Sequence, residues 1–408
     1  MEKRKERIGR YIPRELYLKR IENYLNTPII KILKGMRRVG KSVILKFLIQ
    51  KLIEDGIPEE NILYINKESV EYDDLKNYKD LYFYVKQQLD GLDGSKYLLV
   101  DEVQDIDEWE RAILSLFSEE YADIIITGSN ASLLSSDLAT YLSGRYVEIP
   151  IYPLTFKEFL QFRRNVKDLD SEFRLFLRYG GLPGIHQLTW KDEILFNYLN
   201  SIINTVFYKD IVSRYKIRDV SVLENIIKYL FDNIGNITSA KRITEYFRNQ
   251  KLNISVDTVL NYIQYCESCF LIEKARRFDI KGKRYLEYYD KFFLNDVGIR
   301  HGFIGYRDKD INGLLENVVY NELRTRGYNV SIGVLDSVEV DFIAETQNEK
   351  KYIQVCSRVN TPELEQREFG NLKKIKDNYE KIVLSLDKFY PEEKEGIRHA
   401  YLIDFLVQ

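Results

Sequence analysis

Eight residues constrain this 408-residue chain more than any others: Gly35-Met36-Arg37-Arg38-Val39-Gly40-Lys41-Ser42. They follow an apolar run, PIIKIL at 28–33, and open a helical pattern, SVILKFLIQKLIEDG, at Ser42. A buried strand that turns into a helix through two glycines points several backbone N–H groups at one spot. The helix adds the positive end of its dipole there, and Lys41 adds a full charge. The spacing is G-x-x-x-x-G-K-[ST], in the strand–helix context that a phosphate cradle requires. Gly35 to Ser42, with Val43 behind them, are therefore the residues expected to hold ATP. Lys41 is expected on the β- and γ-phosphates, and Ser42 as a ligand of Mg²⁺.

The surrounding pattern predicts where such a loop would sit. Short apolar runs recur at 61–66, 96–101, 122–128 and 145–151, with helix-like segments between them. Apolar runs alternating with helices imply an α/β fold: a parallel sheet with helices on both faces. The run YLLVD ends in Asp101-Glu102. Asp101, at the carboxyl end of its strand, is expected in the Mg²⁺ shell, and Glu102 as general base for the attacking water. DIIIT leads into Gly128-Ser129-Asn130. Asn130, which can donate and accept at once, is the expected γ-phosphate sensor, with Ser129 as competitor. Arg145, in LSGRY, is expected to stabilise transition-state charge, from its own subunit or a neighbour. An ordinary surface arginine is the alternative.

A chain of this length with 45% hydrophobic residues carries enough apolar material for two or three cores. Its formal net charge of −2 speaks against a globally basic nucleic-acid binder, though not against local patches. No apolar run approaches the roughly 18 residues that span a bilayer. The N-terminus, MEKRKERIGRYIPREL, lacks the apolar centre of a secretory signal. Cys266, Cys269 and Cys356 form a sparse, odd set, which points to a reducing, cytoplasmic setting. The C-x-x-C of the first two lies on an apolar helical pattern with no second pair, as core thiols would.

Beyond Thr155 the pattern is helical to about Ser213, broken by YGGLPG at 179–184. Three helical segments then follow, VLENIIKYLFDNIG, SAKRITEYFRNQ and SVDTVLNYIQYC. LIEKARRFDIKGKRYLEYY is read as two strands around a Lys-Gly-Lys turn. Helices followed by a hairpin suit a winged helix-turn-helix. The recognition-helix candidate carries no Lys or Arg, whereas the wing carries Lys274, Arg276, Arg277, Lys281, Lys283 and Arg284. Wing-led contact with double-stranded DNA and a protein-packing module are both open. The 31 tyrosines show no stacking ladder in the sequence. A last α/β unit opens with LLENVVYNEL and continues through VEVDFIAE, KKYIQVC and KIVLSLD.

The strings GMRRVGKS, YLLVDEVQDIDEWE, ITGSNASLL, LSGRYVEIPIYPLTFKEFL and YGGLPG, in that order, resemble bacterial and archaeal AAA-family ATPases that carry a conserved C-terminal domain of unknown function. The likeness runs on through KFFLNDVGIR, LLENVVYNEL, VEVDFIA and YIQVC. It implies an additional-strand P-loop core at 1–154 with sheet order 5-1-4-3-2, and a helical lid at 155–220. It also implies a winged helix at 221–300 and a restriction-endonuclease-like domain at 301–408. Nucleases of that fold use a helical acid, a strand Asp and an acid-x-Lys strand. Glu316 and Asp341 match the first two. Gln354 and Cys356 replace the acid and the lysine, so the site reads as degenerate, with Lys373 or Lys374 as substitute cations.

Three functions follow. The first is a Mg²⁺-dependent ATPase that drives a conformational switch on DNA or a protein, in an oligomer if Arg145 acts in trans. The second is an ATP-dependent nuclease of a defence or mobile-element system. The third is a non-hydrolysing nucleotide-gated binding module.

Overall fold

The computed structural model describes residues 11–131, 142, 144–307, 310–336 and 338–408. The first ten residues, the 132–141 stretch that completes ITGSNASLL, and Ser143 of LSGRY lie outside the described residues. Contacts divide the chain into two units. One runs to Ile151 and includes Ser268–Phe270; the other holds Tyr152–Glu267 and Leu271–Gln408.

The first unit is an α/β layer structure. Its strands are β1 (Ile30–Lys34), β2 (Ile62–Asn66), β3 (Tyr97–Asp101), β4 (Asp123–Gly128) and β5 (Tyr146–Pro150). They form one parallel sheet in the order β2-β3-β4-β1-β5, the expected 5-1-4-3-2. Helices α1 (Glu15–Glu22), α2 (Lys41–Glu54), α3 (Tyr78–Leu89) and α4 (Trp109–Ser118) accompany it. The central strands are apolar on both faces because both faces are covered, and every residue of β3 is buried. Ile30, Ile32, Leu98, Val100, Ile124 and Ile126 pack with Leu81 and Val85 of α3 and with Trp109, Ile113 and Leu116 of α4. The start of α3 is fixed by a capping box between Asn77 and Asp80. Because the strands are parallel, Lys34, Asp101 and Gly128 all arrive at one edge, the carboxyl edge where ligands of such sheets bind.

The second unit opens with α5 (Phe156–Phe162), α6 (Leu169–Tyr179) and α7 (Asp192–Thr205), which runs on as a π-helix over Val206–Ser213. Phe156, Phe159, Phe173 and Phe176 interlock between α5 and α6. Then come α8 (Val220–Asp232), β6 (Ile237–Thr238), α9 (Ala240–Asn249), α10 (Val256–Ser268), β7 (Ile272–Ala275), β8 (Arg277–Asp279), β9 (Arg284–Tyr285) and β10 (Asp290–Leu294). The rest is α11 (Val297–Ile304), α12 (Ile311–Thr325), β11 (Asn329–Leu335), β12 (Val338–Glu345), β13 (Lys350–Val355), α13 (Pro362–Lys373), β14 (Glu380–Ser385), β15 (Glu393–Lys394), β16 (Ile397–Tyr401) and α14 (Leu402–Val407). Two sheets result: a small antiparallel one, β6-β10-β7, and a mixed one, β15-β16-β14-β13-β12-β11-β8-β9.

The hairpin read in LIEKARRFDIKGKRYLEYY needs correction. It splits at Arg276. Ile272–Ala275 pairs with β10, where Phe292 and Phe293 are buried. Arg277–Asp279 joins the other sheet, parallel to β11, and only its short pairing with β9 crosses the Lys-Gly-Lys turn. The reason is burial. Pairing with β10 removes Ile272 and Ala275 from water, whereas Arg284 and Tyr285 stay exposed and offer no such gain.

YGGLPG is explained by an interlock. Asp296 is fully buried; it accepts the N–H of Gly181 at 2.7 Å and of Ile299 at 3.0 Å, and caps α11. Gly180 has φ +75°, and a Cβ there would lie 2.2 Å from Asp296 Oδ1. A Cβ on Gly298 would lie 2.0 Å from the Tyr179 carbonyl oxygen. Two strings 115 residues apart thus fit only as glycines around one carboxylate.

Candidate nucleotide site

The loop after β1 is built by close approach. A Cβ on Gly35 would sit 2.2 Å from the carbonyl oxygen of Ile151, so only glycine passes. The Ile151 N–H donates to Lys34 O at 2.7 Å, and the Gly35 N–H to Gly128 O at 3.4 Å, tying the loop base to β5 and β4. Met36 and Val39 are buried and anchor the loop, while Arg14 donates to Val39 O at 3.1 Å. Arg37 donates to Glu68 at 2.7 Å. Arg38 and Gly40 both take positive φ, +70° and +102°, and Gly40 is the N-cap of α2. Lys41 is 4% exposed. Its Nζ donates to Gly35 O at 2.9 Å and Met36 O at 3.3 Å, and lies 3.4 Å from Glu102 Oε1.

Two carboxylates face this loop in different surroundings. Asp101 accepts from Tyr64 Oη at 3.0 Å and from the hydroxyls of Thr127 and Ser42. Burial pushes its carboxyl up, and the Ser42 and Thr127 hydroxyls and Lys41 only partly offset this. Glu102 follows in the left-handed conformation, φ +55°, which turns its side chain out of the strand alternation. Burial alone would raise its pKa. The Lys41 ammonium, donors Ser129 (2.7 Å) and Gln104, and the Arg37 charge outweigh this and hold it at about 2. Ser129 and Asn130 are both buried where β4 ends. Ser129, the competitor in the sequence reading, is the one that reaches Glu102.

Thr127, which opens the Thr127-Gly128-Ser129-Asn130 string and was given no role there, joins the two acids. Its hydroxyl donates to Asp101 and accepts the Glu102 N–H at 3.0 Å. The signal was present: β3 and β4 pair Val100 with Ile126, so the next residues, Asp101 and Thr127, must meet.

Arg145 corrects an expectation. Its carbonyl accepts the Ile30 N–H at 2.8 Å, so it lies where β1 begins, whereas the loop leaves from Lys34 at the other end. Four strand residues at ~3.3 Å each separate the two ends by roughly 13 Å. A role for Arg145 in the site of its own subunit is therefore excluded.

The second unit has an acidic cluster of its own. Glu316 on α12 and Asp341 on β12 come together with Lys291 of β10. Lys291 Nζ stands 3.0 Å from Glu316 and 2.7 Å from Glu339. Asp341 accepts the Val355 N–H at 2.8 Å, and Gln354 bridges the Asp341 N–H to Glu368. Burial pushes the Glu316, Asp341 and Glu368 carboxyls up. Lys373, offered from the sequence as a substitute cation, is instead exposed and paired with Glu395, and Lys374 is exposed. Among the described residues no three His, Cys, Asp or Glu side chains converge as metal ligands. Cys266, Cys269 and Cys356 are buried thiols that form no disulfide among the described residues.

Residues 27–160 match the family described as AAA domain, and residues 170–310 a domain of unknown function, DUF8612. An uncharacterised protein of Haemophilus influenzae is 39% identical over 405 residues, covering 97% of this chain and 99% of that one. An uncharacterised protein of Methanocaldococcus jannaschii is 32% identical over 394 residues, covering 90% of this chain and 82% of that one. Among solved structures, a Walker-type ATPase of Pyrococcus abyssi aligns with a TM-score of 0.51 at 14% identity, over 72% of this chain and 95% of that one. That likeness concerns the fold alone. With the sheet order, the loop and two near-full-length relatives on one side of the ledger and nothing in the fold against them, the chain belongs to the AAA-type P-loop ATPase family.

Proposed function

We propose that the protein binds ATP with Mg²⁺ at Gly35–Val43 and hydrolyses it, and that turnover drives a conformational switch on a nucleic-acid or protein partner. The observation that carries this reading is the meeting of Lys41, Ser42, Asp101, Glu102 and Thr127 at the carboxyl edge of β1, β3 and β4. The loop N–H groups and Lys41 take the phosphates. Ser42 and Asp101 are hard oxygen donors already in contact, a fit for Mg²⁺. Bound there, the ion would neutralise charge on the β- and γ-phosphate oxygens.

Glu102 is the base in this reading, and its surroundings explain how idle chemistry is avoided. A carboxylate held at about 2 by Lys41 is a poor proton acceptor. When Lys41 turns from Gly35 O and Met36 O to a phosphate, the strongest pull on Glu102 goes with it, and its basicity rises. Ser129 keeps the carboxylate aimed, and Asn130 stands beside it as sensor. An arginine contribution from Arg145 would come only from a neighbouring copy. Specific turnover that does not change with protein concentration removes that role.

The test is binding of a fluorescent ATP analogue. Lys41→Ala should abolish it, and Glu102→Gln should retain it. Undiminished binding by Lys41→Ala would sink the assignment. The nuclease reading is weaker, because Lys291 already pairs with both Glu316 and Glu339, and Gln354 and Cys356 stand where an acid and a lysine are needed. Mg²⁺-dependent plasmid nicking that Asp341→Ala abolishes would revive it.

A further inference from the structure

The segment 274–284 holds six cations, Lys274, Arg276, Arg277, Lys281, Lys283 and Arg284, against one acid, Asp279, in a chain of net charge −2. The fold separates them. Lys274 lies in the small sheet, while Lys281, Lys283 and Arg284 sit on the tip and outer strand of the β8–β9 hairpin, the last strand of the mixed sheet. Lys283 and Arg284 have no ion pair among the described residues. Lys281 has one at 3.5 Å to Asp336, with both side chains more than 70% exposed. Such a pair is worth little.

Tyrosines follow directly on these charges. Tyr285 is 53% exposed, Tyr288 73% and Tyr289 49%, and the rings of Tyr288 and Tyr289 touch no other ring among the described residues. An exposed tyrosine alone means nothing; three within five residues, next to unpaired cations, form a surface. It continues across the sheet. Tyr285 meets Phe278 edge to face at 5.2 Å, and Lys350 Nζ lies 5.3 Å from the Phe278 ring and 5.6 Å from that of Tyr379, itself half exposed.

We infer that this hairpin binds single-stranded nucleic acid, its bases stacking on Tyr285, Tyr288 and Tyr289 and its phosphates meeting Lys281, Lys283 and Arg284. Charge complementarity and free ring faces favour this partner. A duplex keeps its bases stacked within itself and needs a reader in a groove; α10, the recognition-helix candidate, carries no Lys or Arg. Glu287 is the single acid in 281–289 and does not outweigh three cations. The inference narrows the partner class left open above. It does not depend on ATP turnover, so the binding test is run in both the wild-type and Lys41→Ala chains.

The probe is a fluorescein-labelled 20-nucleotide oligo-dT, read by anisotropy beside a duplex of equal length. Oligo-dT should bind more tightly than the duplex, equally in wild type and Lys41→Ala. Tyr288→Ala with Tyr289→Ala should weaken it about tenfold or more, while the two Phe substitutions stay within about twofold. Lys283→Gln with Arg284→Gln should lower the slope of log Kd against log salt by about 1.4. Lys283, Arg284, Tyr288 and Tyr289 are all exposed, so these variants should fold, and circular dichroism checks this. Equal or tighter duplex binding, or full affinity in the double-alanine variant, overturns the inference. So does a dimer, seen by light scattering, that Tyr288→Ala dissolves and that binds no oligo-dT.

Discussion

Asp296 offers a prediction whose sign is set by two opposed forces. Three backbone N–H groups, of Gly181, Gly298 and Ile299, donate to it and favour the charged form. Complete burial disfavours that form and is the larger effect, pushing the pKa from 3.8 up to about 6. A carboxyl whose pKa is higher folded than unfolded adds stability that is full below 3.8 and lost as pH rises through 6. The shift of 6 − 3.8 = 2.2 units corresponds to about 3 kcal/mol in full. About 2 kcal/mol of it falls between pH 4.5 and 7.5. Asp296→Asn keeps the shape and cannot titrate. It sacrifices one acceptor, at a cost of roughly 1–3 kcal/mol that does not change with pH. The assay is urea unfolding across that pH range in a Trp109→Phe background. Trp190 is then the remaining tryptophan, and its ring lies 5.6 Å from that of Tyr179, next to Gly180. The stability of the wild type relative to the variant should fall by about 2 kcal/mol from pH 4.5 to 7.5. A difference that is constant with pH, or that grows with it, would refute the reasoning, because the N–H donors would then have won.

Three further outcomes follow. Gly35→Ala should abolish nucleotide binding, since no Cβ can sit 2.2 Å from the Ile151 oxygen; calorimetric titration with ATP reads this, and normal affinity would contradict it. Lys291→Met should destabilise the second unit by about 3 kcal/mol near neutrality, because it strands Glu316 and Glu339. The loss should shrink at acid pH as Glu316 takes up a proton, which thermal melts at two pH values can follow. Thr127→Val should lower turnover more than ATP affinity, since its hydroxyl positions both Asp101 and Glu102; an unchanged rate would remove that role.

The placement of the loop beside Asp101 and Glu102 was legible because its physics is local. A glycine turn, a strand and a helix lie within about twenty residues, and the strand ends that carry Asp101 and Thr127 are fixed by a parallel sheet. The position of Arg145 was legible too, though it was not read: a residue just before a parallel strand lies at the amino edge, opposite the loop. Lys291 was hidden. Its partners lie 25 and 48 residues away, and nothing in DKFFL marks its lysine as an internal cation. The strand exchange at Arg276 was hidden for a similar reason. Choice of partner depended on what β10 could bury, and β10 comes later in the chain. The tyrosines of 285–289 gave no ladder in the sequence, because their exposure depends on the hairpin leaving the small sheet.

The central claim is that Glu102 turns a phosphate cradle into a hydrolase. Steady-state phosphate release with Mg²⁺-ATP, compared between the wild type and Glu102→Gln, tests it most directly. Loss of one general base should cost about 10²–10⁴ in rate while bound nucleotide is retained. Equal phosphate release by the two proteins would contradict the account, and no release by either would leave the cradle a binding site alone.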